Sequence, residues 1–261
     1  MSTIALTPLD LALAASLLGV NAAISWAFGL RLERSIVVAA ARMVVQFALI
    51  GLVLKFIFAQ TSPVWTLALV LLMATAASVE VVTRQHRRVK GWQALGLSSA
   101  TLLFTGVAIT SLGVGVMIGP DSWYAPRYVL PILGMVLGNA MTAMSLVLDT
   151  FCETVTRERA SIEARLALGA QRREAMSGAL RSSLRTGMTP ILNSMATTGI
   201  VALPGMMTGQ ILAGADPILA VKYQILIMFL IAAATALAAF FGGLGAVLLL
   251  TDKRHRLRLD P

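Results

Sequence analysis

The sequence predicts an all-α fold: a polytopic bundle of about seven membrane-spanning helices with a cytoplasmic helical hairpin. Three observations carry that expectation. Apolar residues make up 57% of the 261 positions, against 13% charged. They fall in runs that reach or exceed the roughly 20 residues needed to cross a bilayer. The basic residues sit in short stretches between those runs, so the net charge of +9 reports orientation in a membrane rather than a nucleic-acid surface. The chain therefore reads as one transmembrane domain, 1–261, with residues 153–189 as a cytoplasmic segment inside it.

The runs predict spans from Leu9 to Phe28, Ile36 to Phe58, Val64 to Thr83, Leu95 to Ile118, Tyr128 to Asp149, Pro190 to Ala213 and Ala220 to Leu250. The last is long enough to tilt, to kink at Gly242, Gly243 and Gly245, or to project beyond the membrane. The first has no basic residue before it and contains Asp10, so it lacks the charged start of a cleaved signal peptide and is expected to be retained.

Orientation follows from the loops. Arg31 and Arg34 occupy the first, Arg84, Arg87, Arg88 and Lys90 the third, an arginine-rich block the fifth, and Lys253, Arg254, Arg256 and Arg258 the tail. By the positive-inside bias these face the cytoplasm, which puts the N-terminus outside and the C-terminus inside. In the alternate loops, from Gln60 to Pro63, Gly119 to Arg127 and Gly214 to Pro217, Asp121 offsets Arg127, and Trp123 and Tyr124 are interface anchors. The single cysteine, Cys152, excludes an internal disulfide, and no Cys-x-x-Cys or histidine cluster suggests structural zinc. His86 and His255, among basic residues, read as headgroup or solvent contacts.

The fifth loop has its own pattern. Met176, Leu180, Leu184 and Met188 recur every four residues with Arg172, Arg173, Arg181 and Arg185 on other faces, predicting an amphipathic helix at the membrane surface. Ile162 and Leu166 give a preceding helix a shorter apolar edge, and Gly169 permits the turn between the two. Within this block, Glu163-Ala164-Arg165 is followed by Gly169-Ala170, and Glu-Ala-x4-Gly in such a loop is similar to the docking helix that ABC-transporter permeases offer their ATPase. An interfacial hairpin on lipid headgroups is the blander reading. The Ile-x-Leu-Pro ending usual in those permeases is replaced by Ala179-Leu180-Arg181-Ser182, so the second helix is expected to run longer. None of the lysines, Lys55, Lys90, Lys222 and Lys253, follows a glycine, so the chain lacks a phosphate-cradling Gly-x4-Gly-Lys-Ser/Thr loop. Glu80 and Asp149 sit at cytoplasmic span ends rather than forming a proton relay, and no catalytic constellation appears.

Four segments together resemble one family: Ala41 to Gln46, Leu133 to Met141, Glu163 to Ala170, and Leu203 to Leu212. The chain looks like a FetB-type ABC permease over nearly its whole length. The resemblance implies a transport subunit in a bacterial inner membrane, without enzymatic activity of its own. It also implies a separate ATPase of the FetA type, which uses ATP and Mg while this chain binds no cofactor. Bacterial members are linked to iron export and metal or oxidative stress resistance, and plant relatives to aluminium tolerance and a nucleotide-sugar substrate. Glu163, Ala164, Arg165, Gly169, Ala170, Arg172 and Arg173 are then the ATPase-docking residues. One docking loop per chain calls for a homodimer to engage an ATPase pair. The other expected contacts are membrane lipids, and no nucleic acid.

Depth suggests a substrate pathway independently of the resemblance. At about 1.5 Å per residue, Gln46, Asn139 and the Leu203-Pro204-Gly205 stretch all fall near the bilayer centre. Pro204 followed by Gly205 breaks a helix there, which membranes accept where protein or a water-filled cavity covers the break. Met206, Met207, Thr208 and Gln210 flank the break, and Met135, Met141 and Met144 lie on the fifth span. Met206 and Met207 are the candidate soft metal ligands, set against methionine's ordinary use as a gap-filler. Arg42, two turns into a span, needs an acceptor such as Glu80 or Asp149, or a watered vestibule for anionic cargo. The pairs Gly115/Gly119, Gly134/Gly138 and Gly205/Gly209 are expected to allow close helix approach, most of it within the chain and the rest at a homodimer seam. A gradient-driven carrier of a metal or small solute is the alternative function, and a membrane-bound scaffold or enzyme a third.

Overall fold

The computed structural model describes residues 7–58, 63–84, 91–119, 124–251 and 257, and its regular structure there is helical. Of the loop residues considered above, Gln60, Arg87, Arg88, Lys90, Asp121, Trp123, Lys253, Arg254, Arg256 and Arg258 lie outside the described residues, as do His86 and His255. The chain is a polytopic helical membrane bundle in which six described helices are long and apolar enough to cross a bilayer. It divides into two compact units, Met1–Thr61 with Leu212–Gly214, and Ser62–Ile211 with Ala215–Pro261.

The first unit is a helical hairpin, α1 (Pro8–Ala27) and α2 (Glu33–Phe58). Asp10, read from sequence only as an argument against a signal peptide, has a structural task. Its carboxylate accepts the Thr7 backbone N–H at 2.8 Å while the Thr7 hydroxyl accepts the Asp10 N–H at 3.3 Å, closing a capping box over the start of α1. The turn is held by Ser25, 3% exposed. Its hydroxyl donates to Glu33 at 3.1 Å and accepts the Leu32 N–H at 2.9 Å. Glu33 thereby stands at the N-terminus of α2, where a negative charge suits the helix dipole.

The second unit is built on two long helices, α5 (Pro126–Arg157) and α10 (Pro217–Leu249), which share the most extensive packing in the molecule. Around them stand α3 (Pro63–Arg84), α4 (Gly91–Ser111), α6 (Arg159–Ala167), α7 (Arg172–Ala175), α8 (Ser177–Thr197) and α9 (Gly205–Leu212). α4 continues as a π-helix, Leu112–Ile118, ended by Gly119 in the left-handed conformation. The fourth span is thus one apolar helix with a widened last quarter. At the N-terminal end of α5, the Arg127 guanidinium lies 5.5 Å from the centroid of the Tyr128 ring, a cation–π contact.

Three sequence expectations need correction. The fifth span does not stop at Asp149: α5 runs on to Arg157, 32 residues or about 48 Å of helix against a hydrocarbon core of roughly 30 Å. Hydropathy ends the span at the first charge, whereas Phe151, Cys152 and Val155 keep a buried stripe running along one face. α10 is continuous through Gly242, Gly243 and Gly245, which serve as contact surfaces for Met144, Leu180 and Leu97 instead of kinking the helix. The break expected at Pro204-Gly205 within the segment Pro190 to Ala213 lies earlier: the segment consists of the end of α8, a break at 198–204, and α9, because Gly199 at φ +90° ends α8.

The close approaches between helices also fall at other glycines than expected. A Cβ on Gly115, Gly119, Gly138, Gly205 or Gly209 would have open space, and only Gly134, with Met73 at 3.3 Å, lies against a neighbour. Gly187 is the tightest crossing that involves backbone: a Cβ there would meet the Val147 side chain and lie 2.9 Å from the Ala143 carbonyl oxygen.

Candidate functional site

Two regions of the second unit concentrate polar and irregular structure. The first is the elbow where α5 leaves the bundle. α5 ends at Arg157, Glu158 forms a bend, and α6 follows, with Ile162 2% exposed as its inward anchor. On the outward face Arg159 donates to the Glu163 carboxylate at 2.8 Å, four residues on. Both side chains are about half exposed, so this pair sets orientation more than stability.

After α6 the chain reverses at Gly169, φ +91°, with the Gly169 N–H donating to Leu166 O at 3.1 Å and the Ala170 N–H to Arg165 O at 3.1 Å. This is a left-handed helix C-terminus, which glycine adopts without strain. It leaves Leu168 88% exposed at the tip of the elbow. Glu163, Ala164, Arg165, Gly169 and Arg173 are exposed beside it, and Ala170 and Arg172 are half-buried. The elbow therefore offers an apolar knob ringed by charge.

The returning helix differs from the expected surface helix. α7 spans only Arg172–Ala175, a bend at Met176 follows, and α8 then runs into the bundle against α5 and α10. Its buried edge is the small-residue line Ala179, Ser183 and Gly187, continued by Ile191; Leu180, Leu184 and Met188 lie half-buried beside it. Small residues win the interface because, without a hydrophobic drive between helices in lipid, closeness of the backbones supplies the dispersion energy.

The second region is the break between α8 and α9. Pro204 sits just before the first residue of α9, so its missing N–H costs the helix nothing, and the interruption lies upstream at 198–204. There the Gly199 N–H donates to Ala202 O at 2.9 Å and the Val201 N–H to Thr197 O at 3.0 Å, so part of the backbone is satisfied locally. Ile200 and Val201, 91% and 80% exposed, form an apolar tip.

The expected pathway residues distribute unevenly. Arg42 and Gln46 lie four apart on α2 in the first unit, both exposed. In the second unit Asn139 is exposed on α5, with its amide donating to the Met135 carbonyl at 2.9 Å, and Met141 is half-buried on the same helix. Met135, Met188 and Met206 all pack against one buried cluster that includes Val136, Ile191 and Ile227, so these three serve as core filling. Met144 is fully buried against Gly242. Met207 and Gln210 are half-buried on α9, where Gly205 is exposed. The Gln210 carbonyl oxygen is buried without a hydrogen-bond partner among the described residues, an arrangement worth roughly 1–3 kcal/mol of unmet demand. Gln224 on α10, not singled out from sequence, carries a second such oxygen.

Among the described residues no three His, Cys, Asp or Glu side chains gather as a metal site. Sequence reasoning also missed a polar line on α8: Ser182, Thr186, Thr189, Asn193 and Thr197, all exposed. The signal was present in their spacing of three or four, but the apolar pattern of the same helix was counted instead.

The long apolar helices, the elbow and the broken segment define a polytopic membrane protein of helical type. Residues 8–248 match the uncharacterised protein family UPF0014, and the chain belongs to it. It is 37% identical to the UPF0014 membrane protein YjkA of Bacillus subtilis (strain 168), covering 82% of this chain and 83% of that one. It is 34% identical to the "Probable iron export permease protein FetB" of Escherichia coli (strain K12), over 95% and 93% of the two chains. It is also 34% identical to the protein ALUMINUM SENSITIVE 3 of Arabidopsis thaliana, over 81% and 76%. No solved structure matches the chain.

Proposed function

We propose that this chain is the permease subunit of an ABC transporter that exports iron or another metal, driven by ATP hydrolysed in a separate FetA-type ATPase. The observation that carries the reading is the elbow: Leu168 stands 88% exposed beside the left-handed Gly169, at the end of the short α6 that follows the 32-residue α5. An apolar knob ringed by Glu163, Arg165 and Arg173 in water calls for a protein partner. The 34% identity to a relative named as an iron export permease supports the cargo. Each chain supplies one elbow, so a homodimer engages two ATPase subunits. ATP and Mg belong to that partner, and the metal is cargo rather than a resident cofactor.

The test is co-purification. A co-expressed FetA-type ATPase is expected to be retained by the wild-type chain and lost with a Glu163→Lys, Gly169→Val double variant, while membrane insertion is unchanged. Retention at wild-type level with the double variant sinks the docking assignment.

The same reading places the protein in the inner membrane with the N-terminus outside and the C-terminus in the cytoplasm, from the arginines of the first and fifth loops. Reporter fusions after Pro120 and after Arg258 are expected to report opposite sides. Two cytoplasmic signals would contradict this orientation.

A further inference from the structure

We infer that the exposed polar line on α8, Ser182, Thr186, Thr189, Asn193 and Thr197, is the wall of a water-filled passage through the membrane. The inference rests on the transport reading and adds the surface along which cargo moves. At 100° per residue these positions fall within one narrow sector of the helix, and all are exposed.

The depth of that sector follows from the buried edge of the same helix. Gly187 crosses α5 at Ala143, 14 residues (157 − 143) from the end of α5 at Arg157, about 21 Å along its axis. Ile191 packs in one cluster with Ile132, Val136 and Ile231, a level further from that end. Thr189, Asn193 and Thr197 therefore stand beside the middle and far half of two helices that cross the bilayer. At that depth a carboxamide facing lipid has no partner for its donors or its acceptor, so such groups face water or protein.

The chemistry of the line favours water. The hydroxyls of Thr186, Thr189 and Thr197 donate to carbonyls four residues back, at 3.2, 2.9 and 2.9 Å. Their donors are used within the helix, and the oxygen lone pairs are left as acceptors. Asn193 adds donors and an acceptor between them. At the inner end Arg181 and Arg185 are exposed on adjoining positions and keep that end in water, so the line begins in an aqueous space and continues inward. It contains no carboxylate, thiolate or imidazole. Such a wall holds a hydrated solute by hydrogen bonds and does not replace its whole water shell, so a metal passing here travels hydrated or already complexed.

Single cysteines at the five positions, and at Leu192 and Met195 on the neighbouring sector, test this in inside-out membrane vesicles. Cys152 is 4% exposed, and labelling of the parent chain serves as the blank. With a water-soluble, membrane-impermeant methanethiosulfonate reagent, Thr186→Cys, Thr189→Cys and Asn193→Cys are expected to react at least ten-fold faster than Leu192→Cys and Met195→Cys. Equal rates in the two sectors overturn the passage. Disulfide formation between copies at Asn193→Cys without labelling also overturns it, by making the line a seam between two chains. A labelled line in a chain that binds no ATPase would sink the ABC reading alone, and a silent line in a chain that co-purifies with its ATPase would sink the passage alone.

Discussion

Gly187→Ala is expected to lower the thermal midpoint of the detergent-solubilised protein by roughly 5 °C, the effect of overpacking by about 2 kcal/mol in a chain of this size. The added methyl would lie 2.9 Å from the Ala143 carbonyl oxygen and meet the Val147 side chain. Val147 can change rotamer, but the α5 backbone cannot yield without moving a helix that also packs on α10, α3 and α4. Two comparisons isolate that cause. Gly243→Ala presses a Cβ to 2.8 Å from the Leu180 Cδ1, the mobile end of a side chain, and is expected to cost less than half as much. Gly205→Ala meets nothing within 4 Å and is expected to leave the midpoint within about 1 °C. A wild-type midpoint for Gly187→Ala would mean that α5 and α8 are not in contact through this glycine.

What the sequence made legible follows from which forces leave a periodic trace. Six of the seven expected spans were readable because bilayer thickness imposes run length, and the turn of the elbow was readable because Gly169 interrupts a helical pattern with the residue that a left-handed turn requires. The end of α5 was not. Past Asp149 the helix is held by Phe151, Cys152 and Val155 against neighbours that sequence does not reveal, so a charge looked like a boundary where the helix runs on. α8 was misread for a related reason. Met176, Leu180, Leu184 and Met188 are conspicuous by hydropathy, but Ala179, Ser183 and Gly187 make the contact, and small residues carry no hydropathy signal. The polar line beside them went unseen because a helix buried on one side and exposed on the other looks in sequence like a surface helix. Of the expected pathway residues on α9, Met206 packs partly buried against the core cluster, while Gln210 brings a buried oxygen without a partner among the described residues.

Gly169→Val is expected to cut cargo-stimulated ATP turnover of the complex reconstituted with its ATPase by roughly 5- to 30-fold, with the thermal midpoint of the permease little changed. The left-handed backbone, φ +91°, costs an ordinary L-residue about 1–2 kcal/mol, and a β-branched side chain is among the worst to place there. A penalty of that size shifts the elbow away from its docked geometry by the same factor. Space is not the difficulty, since a Cβ at this position meets nothing within 4 Å. The damage is therefore confined to the turn held by the Gly169 and Ala170 N–H groups, and the buried anchors Ile162 and Met176 on either side stay in place. Asparagine tolerates the left-handed conformation better than any other residue with a long enough side chain to matter here, so Gly169→Asn is expected to keep most of the turnover. This pair of variants separates conformation from bulk: loss with valine and retention with asparagine mean that the partner reads the direction in which the elbow presents Leu168 and Glu163. Full turnover with valine would show that the ATPase does not engage this turn, and equal loss with both would mean that it requires the bare glycine surface itself.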